Sequence, residues 1–99
     1  MIFAHDDEAA LDALSAIQDE GRTDIRYIVG FGGNKPAYEL LRANDPVFLA
    51  SISYLPSMGF DAVEMAVRVL RGIPFSKDTI IASQVVGAWN VEDFWNDAY

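Results

Sequence analysis

The chain contains no cysteine, so disulfides, thiolate catalysis and cysteine-type zinc sites are excluded and the redox compartment cannot be read. Basic residues are scarce. Seven Lys and Arg stand against 15 Asp and Glu, giving a formal charge of −8. Such a surface repels nucleic-acid phosphates, and no Lys/Arg cluster offers a local exception, so no nucleic-acid partner is expected. An anionic membrane surface is disfavoured for the same reason. No apolar run reaches the roughly 18–20 residues that span a bilayer. The chain opens without a basic n-region and apolar h-region, so an export signal is not expected within it. Instead, Met1 to Ala4 reads as a strand from the first residue, which points to upstream sequence in a longer protein. Histidine occurs once, at position 5.

What remains is a composition of 52% hydrophobic and 22% charged residues over 99 positions, enough for one domain at most. Strand and helix patterns alternate. Ile2–Ala4 is a short apolar run ending in His5-Asp6-Asp7-Glu8. Ala10, Leu14 and Ile17, with Leu11 beside them, repeat at helical spacing. Asp6 or Asp7 can cap this helix, and Gly21 is placed to end it. A second strand is predicted over Ile25–Phe31, running into Gly32-Gly33-Asn34, and a short helix over Pro36–Ala43. After the Asn44-Asp45-Pro46 turn, a third strand is predicted over Val47–Leu55.

Pro56 stops that strand and Ser57 is expected to cap a third helix. Asp61, Glu64, Arg68 and Arg71 share one face of it, with Glu64 and Arg68 in the favourable i,i+4 order. Apolar residues cover the rest, so the helix is expected to be buried around most of its circumference. Gly72 and Pro74 end it. A last strand is expected over Thr79–Val86, then a tail of helical character over Val91–Tyr99.

This alternation implies an α/β fold: a parallel sheet with flanking helices, built from Rossmann-like βαβ units with right-handed crossovers. In such sheets ligands bind beyond the C-terminal ends of the strands. Three clusters would meet there: His5-Asp6-Asp7, Phe31-Gly32-Gly33-Asn34 and Ser53-Tyr54.

These same residues carry a resemblance. Phe3-Ala4-His5-Asp6-Asp7-Glu8-Ala9-Ala10-Leu11 resembles the F-A-x-N-D-E-x-A-L segment of type I periplasmic sugar-binding proteins of ABC transporters. Ile28-Val29-Gly30-Phe31-Gly32-Gly33 resembles their V-V-G-F-D-G strand end. Ala50-Ser51-Ile52-Ser53-Tyr54-Leu55-Pro56-Ser57-Met58-Gly59 resembles A-T-V-x-Q-x-P-x-x-M-G. Leu70-Arg71-Gly72 with Pro74 resembles L-L-x-G-x-x-V-P, and Asn90-Val91-Glu92-Asp93-Phe94-Trp95 resembles the N-V-x-x-F-W close. The five segments stand in the family's order and cover nearly the whole chain.

The resemblance implies that residues 1–99 are the C-terminal portion of a periplasmic-binding-protein-like domain, a partial lobe whose N-terminal companion is missing. It also implies that residues 47–86 form a hinge-crossing strand, a helix and a returning strand. The intact protein would bind a sugar or polyol between two lobes, close on a hinge and deliver it to an ABC permease, without catalysis or a cofactor. Its location would be periplasmic, or extracellular with a lipid anchor. The family's ligand-binding Asn, Asp and Gln correspond here to Asp6, Gly32 and Tyr54. The sugar therefore does not carry over. An alternative with the same fold is the effector-binding domain of a lactose-repressor-type transcriptional regulator, which would need an upstream DNA-binding headpiece. A small phosphate- or nucleotide-using enzyme is a weaker third reading, because the single Gly-Gly turn is not a P-loop and the third glycine of a dinucleotide fingerprint is absent.

Each candidate has a plainer role. Asp6 could accept two sugar hydroxyls or simply cap a helix. Tyr54 could stack on a pyranose face or pack in strand alternation with Phe48, Ala50 and Ile52. Gly32 and Gly33 could admit a ligand to the backbone or only make the turn. Asn34 could reach ligand or cap. Metal binding at His5 is not expected, because consecutive residues on a helix point apart. The cluster Asp6-Asp7-Glu8 lacks the nucleophile and oxyanion donors of an acid/base site and reads as a capped, solvated helix start. Trp89 and Trp95 read as tail anchors. As an isolated piece, the chain would expose strand edges and the apolar face of the third helix, so self-association is expected, with that helix and the last strand exchanged between two copies.

Overall fold

The computed structural model describes residues 1–54 and 56–99. The elements run β1 (Ile2–Phe3), α1 (Asp7–Asp19), β2 (Ile28–Gly32), α2 (Lys35–Arg42), β3 (Phe48–Ser53), α3 (Ser57–Leu70), β4 (Gln84–Gly87) and α4 (Val91–Phe94). A 3₁₀ turn, Trp95–Asp97, follows. The strands form one four-stranded sheet in the order β1-β2-β3-β4. β1, β2 and β3 are parallel, as two βαβ units require.

The helices form where their local signals place them. Asp6 caps α1, its Oδ1 accepting the Ala9 N–H at 2.7 Å. Asn34 caps α2 in the same way, with Oδ1 accepting from Ala37 N–H at 2.9 Å and Pro36 in the first turn. α1 closes with Gly21 at φ +60°, where the Gly21 N–H donates to Gln18 O and the Arg22 N–H to Ile17 O. Asn44 and Gly72 close α2 and α3 with the same paired bonds.

The core is one layer deep on the sheet. Ala10, Leu14 and Ile17 of α1 pack over β2, and Ala37, Tyr38 and Leu41 of α2 over β3. Ile28, Phe48 and Val86 meet them from the sheet, and Val91 closes the end near α2. Burying each of the larger side chains contributes about 1.5–3 kcal/mol.

Several expectations need correction. The sheet is mixed, because β4 pairs antiparallel with β3, from Ala50↔Gly87 to Ser53↔Gln84. A parallel strand needs a crossover that returns the chain to the other end of the sheet. α3 makes no such return: it leaves after β3, none of its residues is buried, and the chain comes back beside Ser53. β4 is also shorter than Thr79–Val86. Residues before Gln84 have passed the end of β3 and find no ladder partner, and Ile80 is 92% exposed. β2 begins at Ile28 rather than Ile25, leaving Tyr27 as an exposed lead-in whose carbonyl accepts from Ile2 N–H. Ser57 lies inside the first turn of α3, which has no side-chain cap. Leu55, expected to end the third strand, lies outside the described residues.

α3 departs furthest from expectation. Phe60 is 72% and Leu70 86% exposed, so the apolar surface that predicted burial faces outward. Arg68 turns to the Pro74 carbonyl at 3.4 Å, and no Glu64–Arg68 ion pair forms among the described residues. The projecting helix stretches the chain to 57 × 23 × 17 Å.

Candidate functional site

Three elements bring polar groups to the C-terminal end of the parallel strands. α1 starts there with Asp6, Asp7 and Glu8. The β2–α2 turn supplies Phe31 to Asn34, and β3 ends there before Tyr54. A cavity of about 140 Å³ lies between them, lined by Asp6, Asp7, Glu8, Phe31, Asn34, Tyr54 and Tyr99. Pockets that enclose a small molecule run to roughly 300–1,000 Å³. This one is therefore a shallow half-cleft, open on one side.

The structure places the four sequence-predicted residues as follows. Asp6, Asn34 and Tyr54 line the cavity together. Asp6 commits one carboxylate oxygen to its cap, and Asn34 commits its amide oxygen. The Tyr54 ring lies 5.2 Å from that of Phe31, tilted by 32°, and its N–H donates to Gly32 O at 3.1 Å. Gly32 is not among the lining residues. It is buried with φ +137°, a conformation that side chains rarely adopt, and the Tyr99 hydroxyl lies 3.0 Å from where its Cβ would be.

Asp7 is the residue that sequence reading misjudged. It is 2% exposed, not a solvated helix start. One carboxylate oxygen, Oδ2, accepts from Gly33 N–H at 2.7 Å, Asn34 N–H at 2.9 Å and Ser51 Oγ at 3.0 Å. The start of α1 is thus tied to the β2–α2 turn and to β3 by one side chain. Its other oxygen, Oδ1, has no partner among the described residues and lies over Gly30, where a Cβ would collide with it. The glycine at 30 is therefore the trace this carboxylate leaves in the sequence. Tyr99 was also missed. It comes last in the chain, with no periodicity to tie it to a strand end.

Beneath the turn, Tyr38 is 1% exposed and its hydroxyl lies close to Gly33. Burial, and then the charge of Asp7, push its phenol up to about 12. Because the folded pKa exceeds the usual value near 10, the neutral phenol contributes stability that is complete below pH 10. That contribution is lost as pH rises through about 12. Denaturant titrations across this window are expected to show falling stability, with a shallower slope in Tyr38→Phe. An unchanged slope would mean another group is responsible.

A larger cavity, about 350 Å³, lies elsewhere, between α3 and Thr79 to Ile81. It is a groove beside α3 that shares no lining residue with the cavity at the strand ends. His5 is exposed, and among the described residues no group of three or more His, Asp or Glu side chains is arranged to hold a metal ion. Trp95 does anchor the tail, with the Arg42 guanidinium 4.1 Å and the Lys35 ammonium 5.4 Å from its ring.

Comparison with known proteins places this arrangement. No protein-family model matches the chain. Over 72 residues it is 40% identical to the ribose import binding protein RbsB of Escherichia coli K12, covering 72% of this chain and 23% of that protein. It is 39% identical over 72 residues to the ribose import binding protein RbsB of Bacillus subtilis 168, covering 72% of this chain and 22% of that one. The chain spans less than a quarter of the length of these curated relatives. Among solved structures, it superposes on a galactofuranose binding protein with a TM-score of 0.76 and 18% identity, over 97% of this chain and 33% of that one. It superposes on the periplasmic binding protein of the arabinose ABC transporter from Shewanella sp. ANA-3, bound to L-arabinofuranose, with a TM-score of 0.67 and 23% identity. That match covers 95% of this chain and 32% of the other. In sequence the chain is thus similar to a stretch of the ribose import binding proteins, and in fold it matches about a third of each of the two sugar-binding proteins of known structure.

Proposed function

We propose that the half-cleft over Asp6, Asn34 and Tyr54 binds a neutral sugar or polyol, and that the longer protein closes a second lobe over it and hands it to an ABC permease from the periplasm. No covalent chemistry is part of this reading. The observation that carries it is the chemistry of the rim. Carboxylates of Asp6 and Glu8 accept hydrogen bonds, the Asn34 amide and tyrosine hydroxyls donate them, and Phe31 and Tyr54 offer aromatic surface. Sugar hydroxyls need both acceptors and donors, and the apolar face of a sugar ring needs a flat partner. No Lys or Arg lines the cavity, so an anionic ligand would find only like charge.

On this reading Gly32 shapes the floor of the cleft rather than contacting ligand through a side chain. Residues 47–86 are proposed as the hinge passage, with α3 contributing to the companion lobe, whose surface would cover Phe60 and Leu70. Without that lobe, the 99-residue chain is proposed to associate with a second copy.

NMR titration of the 99-residue chain with D-ribose, L-arabinose and D-galactose tests the binding reading. With half of the enclosing surface absent, affinity for the preferred sugar is expected near 1 mM, or about −4 kcal/mol. Shifts should be confined to the start of α1, Asn34 and Tyr54, and ribose 5-phosphate should leave the spectrum unchanged. Silence with all three sugars, or equal shifts with the phosphate, would overturn it.

A further inference from the structure

We infer that Tyr99 is a ligand-contacting residue of the half-cleft, its hydroxyl occupying the space that the bare backbone of Gly32 leaves open. The inference rests on the sugar-binding reading above and extends it to a residue far from the strand ends in sequence.

Two observations place the phenol. Its oxygen lies 3.0 Å from the position of an absent Cβ at Gly32, and the ring lines the cavity beside Asp6, Asn34 and Tyr54. The residue is 51% exposed, so part of the side chain packs and part faces the opening. A glycine at φ +137° makes a strand end with no side chain to offer. The tail supplies one from outside.

The tail is held firmly enough to do this. The Tyr99 carbonyl accepts the Lys35 N–H at 2.8 Å, at the start of α2. One turn earlier, Trp95 is stacked under Arg42, and Arg42 is in turn paired with Glu92 at 2.6 Å. The helix that positions Asn34 on the rim therefore also positions Tyr99. A shift of one would carry the other.

The hydroxyl suits the site chemically. The carboxylate oxygens of Asp6 and Glu8 serve as hydrogen-bond acceptors, so donors are the scarcer group on this rim. Desolvation, followed by the neighbouring Tyr54 hydroxyl, pushes the Tyr99 phenol up to about 12. Below that pH the hydroxyl keeps its proton and can donate to a sugar oxygen.

Tyr99→Phe removes the hydroxyl while keeping the ring and the tail. In the 99-residue chain, titrated with whichever of D-ribose, L-arabinose and D-galactose the wild type binds, Kd is expected to rise about 3- to 10-fold, the usual effect of one neutral hydrogen bond. The ratio of affinities among the sugars should change as well, which a merely structural role would not do. Tyr27→Phe, on the exposed lead-in to β2 at the opposite end of that strand, should leave affinity unchanged. An amide spectrum of Tyr99→Phe matching the wild type away from the cleft shows that the fold is intact. If the wild type binds none of the sugars, the sugar-binding reading falls and this inference with it. If the wild type binds and Tyr99→Phe binds within twofold, only this inference falls. The free wild-type chain must also show a nuclear Overhauser contact between the Tyr99 ring and the Gly32 Hα; its absence would overturn the placement directly.

Discussion

Asp7→Ala is expected to destabilise the chain by about 3 kcal/mol or more. The substitution strands the N–H groups of Gly33 and Asn34 and the hydroxyl of Ser51, all bonded to one carboxylate oxygen. Leaving a buried polar group unsatisfied costs roughly 1–3 kcal/mol, and relaxation of the turn toward water offsets part of the sum. A domain of this length has about 5–15 kcal/mol in total. At about 4–8 °C per kcal/mol, the melting point should fall by at least about 12 °C. Asp7→Asn should cost less, because its amide oxygen can take the place of Oδ2, leaving only an unpartnered NH₂ over Gly30. Gly30→Ala approaches the same contact from below. Its methyl group meets Asp7 Oδ1 and the Ala10 Cβ, so overpacking should cost about 1–3 kcal/mol in the wild type. In an Asp7→Ala background only the 3.3 Å contacts with Ala10 Cβ and the residue 7 Cα remain, so Gly30→Ala should cost less than in the wild type. Thermal melts of the four proteins close the cycle, and strict additivity would refute the contact between residues 7 and 30.

That cycle also marks where sequence reasoning reached its limit. Helices α1 and α2 were legible because capping and periodicity are local: Asp6, Gly21, Asn34 and Pro36 each act within one turn. The gathering of residues 6, 34 and 54 was legible too, since parallel βαβ units put their strand ends at one edge. Asp7 was not. Asp6 and Asp7 are adjacent acids at a helix start, and either could cap. Only the approach of the Gly33 turn, 26 residues away, decides which one is buried. The direction of β4 was illegible for a related reason. Strand direction depends on where a connection returns, and the α3 pattern carries no record of which surface it packs on. Tyr99 reaches the cleft because Trp95 docks on Arg42, a contact with no signature in spacing.

The unburied face of α3 makes the strongest prediction about the isolated chain. Phe60, Val63, Val67 and Leu70 recur at helical spacing and are all exposed. Contiguous apolar surface of this kind on a free domain is unusual and marks an interaction site. Burying each of the four contributes about 1.5–3 kcal/mol, enough to exceed the lower range of association costs. The 99-residue chain is therefore expected to sediment as a dimer or larger species. Replacing Val63 and Val67 together by Glu removes roughly 3–6 kcal/mol of that contribution and places charge in the interface. The dissociation constant should rise at least about 100-fold, producing a monomer. Stability of the sheet should change little, because α3 buries none of its residues against it. A wild-type chain that sediments as a monomer, or a double variant that associates as strongly as the wild type, would show that α3 is not the adhesive surface. On the proposal that α3 serves a companion lobe in a longer protein, the same substitutions there should lower the melting point instead of changing the association state.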